Sequence, residues 1–256
     1  MDRGPGRREH RPMMNTLQTA IGIGLVFALA GAVKGITGMG LPTVAVSLLG
    51  LWMAPAQAAA LLVGPSLVTN VAQCRGRHGR QLVARLWPAW FALAVVTVLT
   101  PDLSGTGIDA HRLLGAVLVG YGLLGLWRPV LADLSGRAGV CGAIAGAATG
   151  LVTAATAVFV MPLVPFLQAL RLDRDALVQA LGLSFTVATL ALAVRVQAAG
   201  AAASLLSWEA AWALAAALGG LALGTQLREL LSGPAFQRSL FVAFAGLGLA
   251  NLLREA

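Results

Sequence analysis

Between residues 35 and 74 the chain runs for 40 residues without Asp, Glu, Lys or Arg, and between 138 and 170 for another 33. As unbroken helices these runs would be about 60 and 50 Å long at ~1.5 Å per residue, against a hydrocarbon core of about 30 Å. Each must turn back or break in or near a membrane. Shorter uncharged runs follow at 86–101, 113–127, 176–194, 210–227 and 239–253. Backbone polar groups find no partner in lipid outside a helix or a closed barrel, and here the spans read as helices. Several fall short of the usual ~20 residues, so their flanking arginines have to snorkel to the interface.

A soluble core does not explain this pattern. Apolar residues are 58% of the 256 and charged residues 11%, whereas a soluble domain has close to half and about a quarter. Too little polar surface remains to coat a water-soluble fold, so lipid is the solvent for much of it. The formal net charge of +8 does not indicate nucleic acid. The arginines sit in short connectors rather than on one face, as the positive-inside rule expects. Cys74 and Cys141 fall at or inside apolar segments without metal-ligand spacing, and read as reduced small hydrophobes.

Residues 1–13 form a polar, basic tail. Apolar character continues past any signal-peptide cleavage point as far as Cys74, so the first apolar segment reads as a retained helix. Met13 and Met14 offer alternative starts that leave the tail untranslated.

Ten apolar segments follow, five per half: 16–34, 39–53, 55–74, 86–101 and 112–129, then 138–155, 157–170, 176–195, 208–225 and 237–253. The second segment of each half is short, and whether it crosses fully is open. The halves resemble copies. GAVKGI at 31–36 aligns with GAATGL at 146–151, and GPSL at 64–67 with GLSF at 182–185. The expected fold class is therefore all-α: a polytopic membrane bundle of two pseudo-symmetric repeats, 14–134 and 135–256, forming one transmembrane domain of 8–10 helical segments. Short or broken helices follow the first segment of each half, and an odd number of crossings per half makes the repeat inverted. If all ten segments cross with the 75–85 loop cytoplasmic, 11 cationic residues face the cytoplasm and 7 face outside, or 11 and 3 without the tail's four arginines. Counting the first two segments of each half as one crossing moves Arg171 and Arg174 outside and fits less well. The chain is thus expected in the cell (inner) membrane, multi-pass, with oligomerisation left open.

Lys34 is the only lysine. One reading is a helix-end lysine snorkelling to the cytoplasmic interface; the other is a cation facing a cavity and attracting an anion. Its aligned partner, Thr149, is neutral, so a cationic role belongs to one half. GITGMGLP at 35–42 is the most irregular backbone signal. Glycine and proline there open the helix ladder, expose N–H groups and aim the next helix's amino end at a cavity, which suits an anion. Candidate substrate-binding positions are therefore Lys34, Thr37, Gly38, Gly40 and Pro42, with the polar span residues Ser66, Thr69, Asn70, Thr149, Thr153, Ser184 and Thr186. Asn70 is the costliest of these to leave in lipid and must find a partner or water. Ser and Thr can instead back-bond to their own helix. Gly142, Gly146 and Gly150 form a GxxxGxxxG stripe that reads as helix packing.

No histidine or carboxylate sits mid-span. A proton relay, a carboxylate dyad, a metal cluster and a Ser/His/Asp set are therefore not expected, and neither are catalysis or a cofactor.

These residues resemble the TauE/SafE sulfite exporter family of membrane transporters. The glycine-rich GITGMGLP at 35–42, the LGL at 49–51 and the stretch 54–70 look like its first repeat; 146–155, the MP at 161–162 and 170–186 are similar to its second. Leu41 stands where a glycine would complete the usual run, and 150–155 has lost most of its glycines. The resemblance implies export of a small anion such as sulfite, a sulfonate or a related organic acid. Alternatives are export of another metabolite, an intramembrane lipid-processing enzyme, or a non-transporting membrane subunit.

Overall fold

The computed structural model describes residues 16–101, 109–127, 132–200, 205, 207–231 and 233–253. The basic tail, Arg128 and Arg254 of the charge count lie outside these residues.

Among the described residues the chain forms ten α-helices. They are α1 (Thr16–Thr37), α2 (Leu41–Leu49), α3 (Pro55–Gln73), α4 (Gly79–Leu99), α5 (Ala110–Trp127), α6 (Ala138–Thr156), α7 (Leu163–Ala169), α8 (Arg174–Ala198), α9 (Trp208–Leu231) and α10 (Pro234–Leu252). Seven are long and apolar enough to cross a membrane: α1, α4, α5, α6 with its lead-in turn, α8, α9 and α10. α2 and α7 are too short, with 9 and 7 residues.

Several boundaries differ from those expected. α4 starts at Gly79 rather than 86, and α9 runs to Leu231 rather than 225, so Arg80, Arg85 and Arg228 ride on helices. The edge of an uncharged run marks where hydrocarbon ends, not where helical hydrogen bonding ends, and arginine is a good helix former. The expected segment 157–170 is helical only over Leu163–Ala169. Ala157 adopts a left-handed conformation with φ 57, and Thr153, Thr156 and Val158 tie the chain into a non-helical turn. The expected segment 39–53 is helical over Leu41–Leu49, entered through Gly38 and Gly40 at φ 82 and 99, backbone that favours glycine.

Packing follows close backbone approaches. A Cβ added to Gly31 would lie 2.1 Å from the Ala217 carbonyl oxygen, and one on Gly220 would lie 1.9 Å from that of Ala28, so α1 and α9 touch main chain to main chain. Gly146 and Gly150 do the same against the Ala89 and Leu93 carbonyls of α4, at 2.0 and 2.7 Å. Residue numbers rise together across both contacts, so α1 runs parallel to α9 and α4 parallel to α6. α3 and α8 run antiparallel, with Asn70 beside Thr189 and Cys74 beside Thr186. α5 and α10 are antiparallel as well, with Gly115 against Gly248 and Gly122 against Phe241.

α2 takes the chain back along α1. Gln73 at the end of α3 reaches Gly38, whereas Trp52 lies against Gly22, so α1 and α3 end at one level and α2 returns between them. A nine-residue helix is about 13 Å long, and residues 50–54 complete the return without helix. α2 and α7 are largely buried: Leu41, Ala45, Val46 and Leu49 of one and Leu163 and Leu167 of the other are wholly covered. Leu25, Phe91, Ile144 and Leu223 point outward from surrounding helices, as lipid requires.

Candidate functional site

The α1–α2 break is built by local chemistry. Thr37 Oγ1 sits 2.8 Å from the Val33 carbonyl and 2.7 Å from that of Met39, and accepts the Met39 N–H at 3.2 Å. Gly40 then caps α2, and Pro42 falls in its first turn, where a missing N–H costs no helical bond. From α3, Gln73 Nε2 donates to the Gly38 carbonyl at 2.7 Å and pins the break.

One turn before the break, Lys34 is 2% exposed. Its ammonium donates to Asn70 Oδ1, and Asn70 Nδ2 donates to Thr189 Oγ1 at 3.4 Å. Lys34 therefore does not snorkel. It forms no ion pair with any carboxylate of the described residues. A buried ammonium loses its hydration, and one neutral amide replaces little of it. Beside it, Cys74 Sγ lies 3.3 Å from Thr186 Oγ1. α1, α3 and α8 thus bring Lys34, Asn70, Thr186 and Thr189 together next to the irregular backbone of Thr37–Gly40.

The other sequence candidates divide. Ser66 is fully buried on α3 and its hydroxyl has no hydrogen-bond partner, while Thr69 back-bonds to Pro65. Ser184 accepts from Trp90 Nε1 at 2.8 Å. Thr149 and Thr153 return their hydroxyls to Ala145 and Thr149 of their own helix, each at 2.7 Å. The aligned glycines fall on equivalent close packings of α1 and α6, but only the first half carries the cation and the amide.

Two cavities flank the break. One, of about 320 Å³, is lined by Thr37, Met39, Gly40, Tyr121, Gln237 and Phe241, among others. The other, about 600 Å³ and open, lies at the ends of α3, α8 and α9, with Gln73, Arg75, Arg77, Arg174 and Arg228 on its wall. Gln179 shapes that wall: its Nε2 donates to the Cys74 and Gly76 carbonyls at 2.9 and 3.1 Å, and its Oε1 accepts the His78 N–H at 3.0 Å. At the rim, Asp173 caps α8. The Ala176 N–H, then His78 and Arg77, hold its carboxyl below the ordinary range.

Sequence reasoning missed Thr189 and Gln179. Thr189 is 119 residues from its partner Asn70, and a threonine in an apolar span is usually silent. Gln179 left a fainter signal, as an amide on an otherwise apolar span. Comparison with known proteins places residues 23–251 under the family model described as "Sulfite exporter TauE/SafE". No curated protein and no solved structure matches the chain.

Proposed function

The chain belongs to the TauE/SafE sulfite exporter family and is a multi-pass membrane transporter of it, and from that premise we propose that it exports a small anion, such as sulfite, a sulfonate or a related organic acid, across the cell (inner) membrane. The observation that carries this reading is Lys34: a desolvated cation without a carboxylate, bonded to Asn70 and set beside an opened backbone. An intramembrane cation is costly and marks a substrate path by default. An anion beside it restores the missing charge. Asn70 orients the ammonium, and backbone and hydroxyl groups at Thr37–Gly40, with Thr186 across the gap on α8, supply neutral hydrogen bonds.

The two halves act as inverted repeats. Parallel α1–α9 and α4–α6 contacts, with antiparallel α3–α8 and α5–α10, support this plan, because α1 and α6 then run in opposite directions. With the cytoplasm negative, an exiting anion gains about 2.3 kcal/mol per charge per 100 mV, so export needs no proton relay. The test is efflux of labelled sulfite, sulfonates and carboxylates from proteoliposomes. Lys34→Ala and Asn70→Ala are expected to lower the maximal rate by about tenfold or more, roughly 1.4 kcal/mol on the barrier. Wild-type flux in both variants would falsify the site.

A further inference from the structure

The four-arginine cavity is not explained by topology alone. Positive-inside loops need cations on one side of the membrane, but not converging on one space. Here Arg75 and Arg77 come from the α3–α4 loop, Arg174 from the start of α8 and Arg228 from the end of α9, and all line one open cavity of about 600 Å³. Asp175 is the only carboxylate on the wall and Asp173 stands at its rim, so the space keeps a net positive charge. None of the four arginines forms an ion pair with a carboxylate of the described residues.

Two details bear on how the arrangement is held. Arg174 is the first residue of α8, where the helix dipole disfavours a cation. Gln179, 3% exposed, uses both ends of its amide to fix the backbone of 74–78, and a Cβ on Gly76 would meet it at 2.6 Å. The loop that carries Arg75 and Arg77 is therefore set in place before any ligand arrives. Guanidinium forks of this kind match oxyanions bidentately. Gln73 lines the cavity and also holds Gly38, and Asn70, which bonds Lys34, lies one turn earlier on α3. Through Gln73 the cavity adjoins the turn of α3 that carries the partner of the buried cation.

We propose that this cavity is a separate anion-collecting site, which binds a small multiply charged oxyanion before it reaches Lys34. The inference rests on the transport reading above and adds where the anion is first held and which charge class is favoured. Its field raises the local anion concentration, so it acts on KM, and on dianions more than monoanions. Salt weakens it, since the Debye length falls from about 10 Å at 0.1 M to about 3 Å at 1 M.

The test compares Arg77→Gln/Arg174→Gln with Arg112→Gln, a charge change outside the cavity, in phosphatidylcholine proteoliposomes. The double variant is expected to raise KM for sulfite about tenfold with little change in maximal rate, to raise KM for methanesulfonate less, and to lose the difference in high salt. Arg112→Gln leaves KM unchanged. A second measurement avoids transport: calorimetric titration of sulfite into solubilised Lys34→Ala protein should still show binding, which the two arginine substitutions remove. Unchanged KM in the double variant, or an equal rise in Arg112→Gln, overturns the proposal. So does a KM effect seen only when phosphatidylglycerol is added, because the cavity then holds a lipid headgroup. Failure of the Lys34 reading shows separately, as intact flux in Lys34→Ala.

Discussion

Lys34 and Asn70 separate a structural role from a functional one. A buried ammonium is a weak source of stability, because desolvation offsets what its hydrogen bond returns. Removing one partner leaves the other unsatisfied, at about 1–3 kcal/mol, whereas replacing both by apolar side chains of similar shape is close to neutral. Lys34→Met/Asn70→Leu should therefore unfold at or above the wild-type thermal midpoint in detergent while losing anion flux. A midpoint well below wild type, with flux retained, would mean that the pair serves the fold. Asn70 was legible as costly in lipid, and Lys34 as the only lysine, either snorkelling or facing a cavity. Their contact was not, since 36 residues separate them and only the return of the chain through α2 brings them together.

Among the elements, the glycine contacts decide which helices touch. At Gly220, where an added Cβ would fall 1.9 Å from the Ala28 carbonyl oxygen, substitution by Ala must push α1 and α9 apart, at about 1–3 kcal/mol for overpacking. Gly219, with nothing within 4 Å of its added Cβ, should accept Ala with no such loss, and paired thermal melts check the contrast. The GxxxGxxxG stripe of α6 behaves as packing, as its spacing indicated, with Gly146 and Gly150 against α4. α8 carries a pH-dependent start. Asp173 is depressed in the folded protein, chiefly by the Ala176 N–H. Its contribution is complete above the ordinary carboxylate value of about 3.9 and is lost as pH falls through the lower folded value. Asp173→Ala should thus lower the thermal midpoint at neutral pH, with the difference from wild type closing as acid protonates the carboxylate.

On the scale of the whole molecule, the helices form a lipid-facing shell around two short inner helices, and the arginine cavity opens where α3 and α9 end and α8 begins. If the moving species is an anion without a coupled proton, sulfite efflux should rise with an inside-negative potential and be unaffected when the pH gradient is collapsed by an ionophore. Efflux that follows the pH gradient instead would contradict uncoupled export. Uncharged runs too long for one span determined that the chain is a membrane helix bundle with breaks, because apolar length and charge are one-dimensional properties. The GxxxGxxxG spacing at 142–150 also marked a helix face that packs closely. The tertiary structure alone decided that Lys34 is buried against Asn70, which bonds Thr189 in turn, rather than snorkelling, and that four arginines from three elements share one cavity. Both depend on which distant helix ends meet, and pairings across a bundle leave no trace in local pattern.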